Sequence, residues 1–164
     1  MPMSTSEEMT KGFLARLLEP RERTSLGRTI VRIALGVGLT FAGVGHLTFA
    51  REEFQAQVPS WLPLDPDLVV VLSGVAEITL GGALVLLAKR RVPVGWAVAL
   101  FFIAVFPGNI AQWLDARDGF GLDTDGKRFV RLFFQPLLIV ATLWSTAAWR
   151  DRPRTATELG RRAA

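Results

Sequence analysis

A chain of 164 residues has room for one domain of ordinary size. Half of it is hydrophobic and 21% is charged, a combination that suits a bilayer protein when the charge is segregated from the apolar runs. The absence of cysteine excludes disulfides, thiolate metal sites and dithiol redox chemistry, and the net charge of +4 flanks apolar spans rather than forming a nucleic-acid stripe, so no nucleic-acid partner is expected.

Residues 1–27 read as a basic tail. Ser4 with Glu7, or Thr5 with Glu8, has capping-box spacing, and Met9, Phe13, Leu14, Leu17 and Leu18 recur at helical intervals. This pattern predicts a short amphipathic helix lying on an anionic membrane face.

Four spans follow, over Arg28–Ala50, Leu68–Ala88, Val92–Leu114 and Val130–Trp149. No Asp, Glu, Lys or Arg occurs from Ile33 to Ala50, from Val92 to Leu114 or from Leu132 to Trp149. Runs of about 18 or more such residues match a hydrocarbon layer of about 30 Å. The expected fold is all-α: an integral membrane four-helix up-and-down bundle over residues 28–150, with a second basic tail over 151–164. Lys11, Arg16, Arg21, Arg23, Arg28 and Arg32 precede or open the first span, Lys89, Arg90 and Arg91 fill the second loop, and Arg150, Arg152, Arg154, Arg161 and Arg162 follow the fourth span. The other side is rich in acids, including Glu52, Glu53, Asp65, Asp67, Asp115, Asp118, Asp123 and Asp125. The positive-inside rule then places both termini in the cytoplasm and the protein in the plasma or inner membrane as a multi-pass chain.

The first loop, Arg51 to Asp67, contains Pro59, Pro63 and Pro66, which exclude a regular helix through its core, and Trp61 suits the outer headgroup level. Small residues recur on helix faces: Gly36 with Gly43, Gly38 with Gly45, and Ser73, Glu77 and Gly81 on one face of the second span. Such spacing lets backbones approach within a bilayer. In the third loop Asp123, Asp125 and Gly126 resemble the start of a calcium loop, but the remaining ligands and the closing Glu are missing, so a solvated turn is expected and no metal site.

The polar residues within the spans carry the functional reading. Glu77 falls near the middle of its helix, where an ionised carboxylate costs at least about 2.5–3.5 kcal/mol unless it is hydrogen-bonded or hydrated. His46, Asn109, Gln135 and Arg131 lie near the outer ends of the other three spans, and Ser73 is one turn from Glu77. Facing inward, His46, Ser73, Glu77, Asn109, Arg131 and Gln135 would form a polar cup open to the outside with Glu77 as its floor. On helical spacing alone His46 stands about one and a half turns nearer the outside than Glu77, so direct contact would need tilt or a water. Arg131, Gln135, Thr142 and Ser145 share a face of the fourth span, and Pro107 and Pro136 free carbonyls near the same depth. Interhelical hydrogen bonding alone is the competing account of each amide.

The succession Gly43-Val44-Gly45-His46-Leu47, Phe54, Val58-Pro59-Ser60-Trp61-Leu62-Pro63, Ser73-Gly74-Val75-Ala76-Glu77, Lys89-Arg90-Arg91, Phe106-Pro107-Gly108-Asn109-Ile110 and Arg131-Leu132-Phe133-Phe134-Gln135-Pro136-Leu137 resembles the DoxX family of bacterial four-helix membrane proteins. The resemblance covers about residues 28 to 148. It implies the four-helix fold and a link to membrane oxidoreductases, since the family is named for a small subunit associated with a thiosulfate:quinone oxidoreductase. The chain lacks the cysteines of thiol-redox relatives. The reading is therefore an accessory, non-catalytic membrane subunit whose partners are the bilayer, oxidoreductase subunits or further copies of itself. No cofactor is evident beyond a quinone or lipid. One alternative is a binding or isomerising protein for a small apolar ligand, a quinone or isoprenoid, in the outward pocket, with His46 and Glu77 handling protons. Another is a proton-coupled transporter that uses Glu77 as carrier.

Overall fold

The computed structural model describes residues 10–12, 15 and 24–150. Residues 10–12 and 15, within the expected N-terminal amphipathic helix, are helical, while the rest of that segment and the tail over 151–164 lie outside the described residues. Among the described residues the secondary structure is entirely helical: α1 (Leu26–Leu47), α2 (Arg51–Gln55), α3 (Pro66–Leu86), α4 (Arg91–Leu114), α5 (Asp125–Leu132) and α6 (Phe134–Ser145). A 3-10 turn, Ala88–Arg90, joins α3 to α4.

Local chemistry sets these bounds. The Asp65 carboxylate accepts from the Leu68 backbone N–H at 3.0 Å and Pro66 occupies the first turn, which starts α3. The Thr124 side chain accepts from the Lys127 N–H and starts α5. The fourth span is longer toward its start than expected and is divided. Pro136 has no N–H and its ring crowds the carbonyl four residues earlier, at Leu132. The helix accordingly breaks at Phe133, between α5 and α6. Pro107 sits inside α4 without ending it. In the first loop Arg51–Gln55 forms one helical turn before the prolines begin.

Four segments are long and apolar enough to cross a membrane: Leu26–Leu47, Pro66–Leu86, Ala88–Leu114 and Asp125–Ser145. They pack as a ring in which α1 meets α3, α3 meets α4, α4 meets α6, and α6 meets α1. The glycine faces fix the closest pair. A Cβ added at Gly43 would stand 2.6 Å from the Gly74 carbonyl oxygen, and one added at Gly36 would stand 2.8 Å from that of Gly81. Those two matched positions run in opposite directions along the chain, so α1 and α3 are antiparallel and nearly touch through their backbones.

Several polar side chains are buried in the bundle, and many large apolar ones face outward. Gln112, Thr142 and Ser145 are at most 1% exposed, whereas Phe41, Leu72, Leu100, Leu137 and Val140 are all more than half exposed. A small apolar core of Leu39, Leu84, Val98 and Phe102, with Leu138 and Ile139 packed against it, ties the four helices together. Arg32 caps the end of α3 by donating to the Leu84 and Val85 carbonyls. Arg32, Lys89, Arg90 and Arg91 thus gather at one end of the bundle. At the other end, α2 and the loops 56–65 and 115–124 fold over the helix ends. Arg117 donates to the Val58 carbonyl at 2.7 Å, Arg51 pairs with Asp67, and the Phe120 N–H donates to Glu53.

Candidate functional site

At the loop end, a cavity of about 910 Å³ lies between the helices. His46, Ser73, Glu77, Asn109, Arg131 and Gln135 all line it. They come from α1, α3, α4, α5 and α6, so the helices do bring the predicted polar positions together. The rest of the lining is mainly aliphatic and aromatic, with Leu35, Leu39, Val70, Phe102 and Leu138 along the walls. The expected polar cup is therefore a chiefly apolar cavity with polar groups toward one end.

Its shape also differs from a cup. The lining continues down α1 from His46 to Ile30, about 24 Å at 1.5 Å per residue. Ile30, Ala34 and Gly38 line it while remaining exposed, so the cavity opens sideways along α1. Glu77 is part of its wall, not its floor. The end that was expected to be open is crossed by Val58, Pro59, Trp61 and Leu62 from the proline loop and by Phe120.

His46 and Glu77 meet directly. Imidazole Nδ1 lies 2.9 Å from Glu77 Oε2 and 2.9 Å from the Ala42 carbonyl oxygen. The orientation suits a hydrogen bond to Ala42, and Glu77 Oε2 is buried with no hydrogen-bond partner. Contact without a bridging water follows from the glycine packing. A Cβ at Gly74 would come within 2.7 Å of His46 Cβ, so only a bare backbone there admits the imidazole between α1 and α3. The glutamate stem covers the remaining turn.

The amides hold each other. Asn109 Nδ2 donates to Gln135 Oε1 at 3.1 Å, and Gln135 Nε2 donates to the Phe102 carbonyl at 2.8 Å. Both amides are buried, and their pairing fixes α4 against α6.

Arg131 differs. Its guanidinium lines the cavity 5.6 Å from the centre of the Phe120 ring, and its Nε is buried without a hydrogen-bond partner. Phe120 meets Phe54 edge-on at 4.6 Å, and Phe54 stacks on His46 at 3.4 Å with 17° between the planes. A continuous row, His46–Phe54–Phe120–Arg131, thus roofs the cavity. Sequence reasoning did not place Phe54, Gln57 or Phe120 at the site. An aromatic in each of two loops was visible, but no periodicity connects a loop residue to a helix face.

Among the described residues no group of His, Asp or Glu is placed to hold a metal ion. The Asp123–Asp125 turn is instead engaged internally: Asp123 pairs with Lys127 at 2.7 Å, and Arg128 bridges Asp118 and Asp125 at 2.8 Å each. The Lys127 ammonium holds the Asp123 carboxyl below the usual carboxylate range.

The class defined by this fold and site is a four-helix bundle with an elongated, mainly apolar cavity that carries polar side chains at one end. The chain belongs to the family described as a domain of unknown function, DUF8561, whose model matches residues 35–147. His46, Gln57, Ser73, Glu77, Asn109, Arg131 and Gln135 of the cavity all fall within that match. No curated protein and no solved structure matches the chain.

Proposed function

We propose that the protein is a multi-pass membrane protein that binds a small, chiefly apolar molecule of the quinone or isoprenoid class in the cavity between its helices. The observation that carries this is the cavity itself: about 910 Å³, with hydrocarbon walls and a few polar groups at one end. Ligand sites commonly have this size and this division between apolar walls and orienting polar groups. Membrane insertion is supported by the outward apolar faces, because hydrocarbon accepts side chains such as Phe41 and Leu137 that water would not. The basic end, with Arg32, Lys89, Arg90 and Arg91, belongs on the cytoplasmic side by the positive-inside rule. The capped end with exposed Trp61 then lies at the outer headgroups. The sideways opening along α1 suits a ligand that arrives from the lipid phase. The DoxX-like residue succession supports a setting beside membrane oxidoreductases, where a quinone would be shared with a partner.

The test uses Gly38. A side chain added there meets nothing within 4 Å and would enter the cavity. The full chain, purified in mild detergent and extracted, should yield a bound apolar molecule by mass spectrometry. Gly38→Phe should keep the fold and lose that molecule. Equal amounts from both proteins, or none from the unmodified chain, would refute the binding role.

A further inference from the structure

We infer that Arg131 receives the oxyanion headgroup, a carboxylate or phosphate, of an amphiphilic ligand whose hydrocarbon tail occupies the apolar length of the cavity. This rests on the ligand-binding reading above and, within it, favours an isoprenoid phosphate or another anionic amphiphile over a quinone.

Arg131 differs from the arginines that hold carboxylates or carbonyls; Arg28 likewise meets a ring face, that of Trp144, but does not line the cavity. Arg32 donates to two backbone carbonyls, Arg51 pairs with Asp67, Arg117 with Asp115, and Arg128 with Asp118 and Asp125. Arg131 has a ring face on one side and the cavity on the other. Among the described residues no carboxylate lies within ion-pair distance of it, and Glu77, the acid that shares the cavity, faces His46 instead. The Arg131 Nε is buried without an acceptor, and a planar oxyanion would supply one through paired N–H donors. Phe120 holds the guanidinium plane from behind.

The neighbouring amides do not compete for the role. Asn109 and Gln135 spend a donor each within the bundle, so they fix the wall rather than supply a second cation. Below Arg131 the lining turns apolar through Leu138, Leu35 and Ile30. A charged group above and about 24 Å of hydrocarbon wall below fit an anionic head and a long tail. A neutral ring carbonyl would leave most of the guanidinium donors unmet.

Binding of palmitate, hexadecyl phosphate and hexadecanol to the full chain in an uncharged detergent tests this by calorimetry. Both anions should bind roughly ten- to a hundredfold tighter than the alcohol. Arg131→Gln should erase that preference while hexadecanol still binds, and exposed Lys127→Gln should leave it intact. Arg131→Met, which keeps an apolar stem without the charge, should likewise erase the preference and decides the matter if the Gln variant does not fold. Equal binding of the three probes, or a preference that survives Arg131→Gln, overturns the headgroup assignment and leaves the cavity reading standing. Displacement of palmitate by millimolar acetate or inorganic phosphate would reassign Arg131 to a free anion and also overturn it. Failure of all three probes to bind overturns the headgroup assignment, while extraction of the unmodified chain and of Gly38→Phe tests the cavity reading separately.

Discussion

At the scale of single residues, the pair His46–Glu77 has a defined protonation geometry. The Ala42 carbonyl can only accept, so the imidazole Nδ1 must carry the proton it donates, and Nε2 keeps the lone pair when the ring is neutral. Nitrogen-15 spectra of the purified protein should show the Nδ1–H tautomer; an Nε2–H ring would contradict this geometry. The same contact makes Glu77→Gln a mild change, because the amide keeps the shape and can turn its oxygen toward Nδ1. That variant should melt within a few degrees of the unmodified chain, whereas Glu77→Ala should lower the midpoint further by leaving a void of several atoms beside a buried imidazole. Loss of ligand binding in a normally folded Glu77→Gln variant would show that the carboxyl itself takes part in recognition.

At the scale of elements, the contact between α1 and α3 sets the position of everything at the cavity. Gly43 faces Gly74 so closely that any side chain must push the Gly74 carbonyl or Ile78, whose Cγ1 would be 2.8 Å away. Overpacking of this kind costs about 1–3 kcal/mol. Gly43→Leu should therefore lower the melting midpoint in detergent by several degrees, in contrast to Gly38→Phe, which enters open space. An unchanged midpoint for Gly43→Leu would mean that these backbones are not in contact. The fourth span shows a second element-scale effect. Its apolar run is continuous from Leu132 to Trp149, yet the helix divides at Phe133 because Pro136 removes one rung of the ladder. The division sets Arg131 and Gln135 on separate helices while both still line the cavity.

At the scale of the whole molecule, the bundle has a basic end and a capped end. Orientation can be checked with single cysteines, since the chain has none of its own. Lys89→Cys should be shielded from an impermeant reagent in intact cells, and Asp123→Cys should be labelled. Labelling at position 89 would invert the proposed topology. The four-helix architecture was readable because spanning length and apolarity are local properties, visible in the charge-free runs. The small-residue faces were readable for the same reason, since Gly36 and Gly43 recur on one helical face and do meet Gly81 and Gly74. By itself the sequence determined which positions are polar within apolar helices, and that Glu77 needs a partner or water. Only the tertiary structure decided that Glu77 lies against His46, that Asn109 and Gln135 hold each other, and that Phe54 of α2 and Phe120 of a loop cover the cavity with no carboxylate of the described residues beside Arg131. The physical reason is register. Helical periodicity fixes the face on which a side chain stands, but the height at which two antiparallel helices meet depends on how their surfaces interlock, and a loop has no period from which its fold over the bundle could be read.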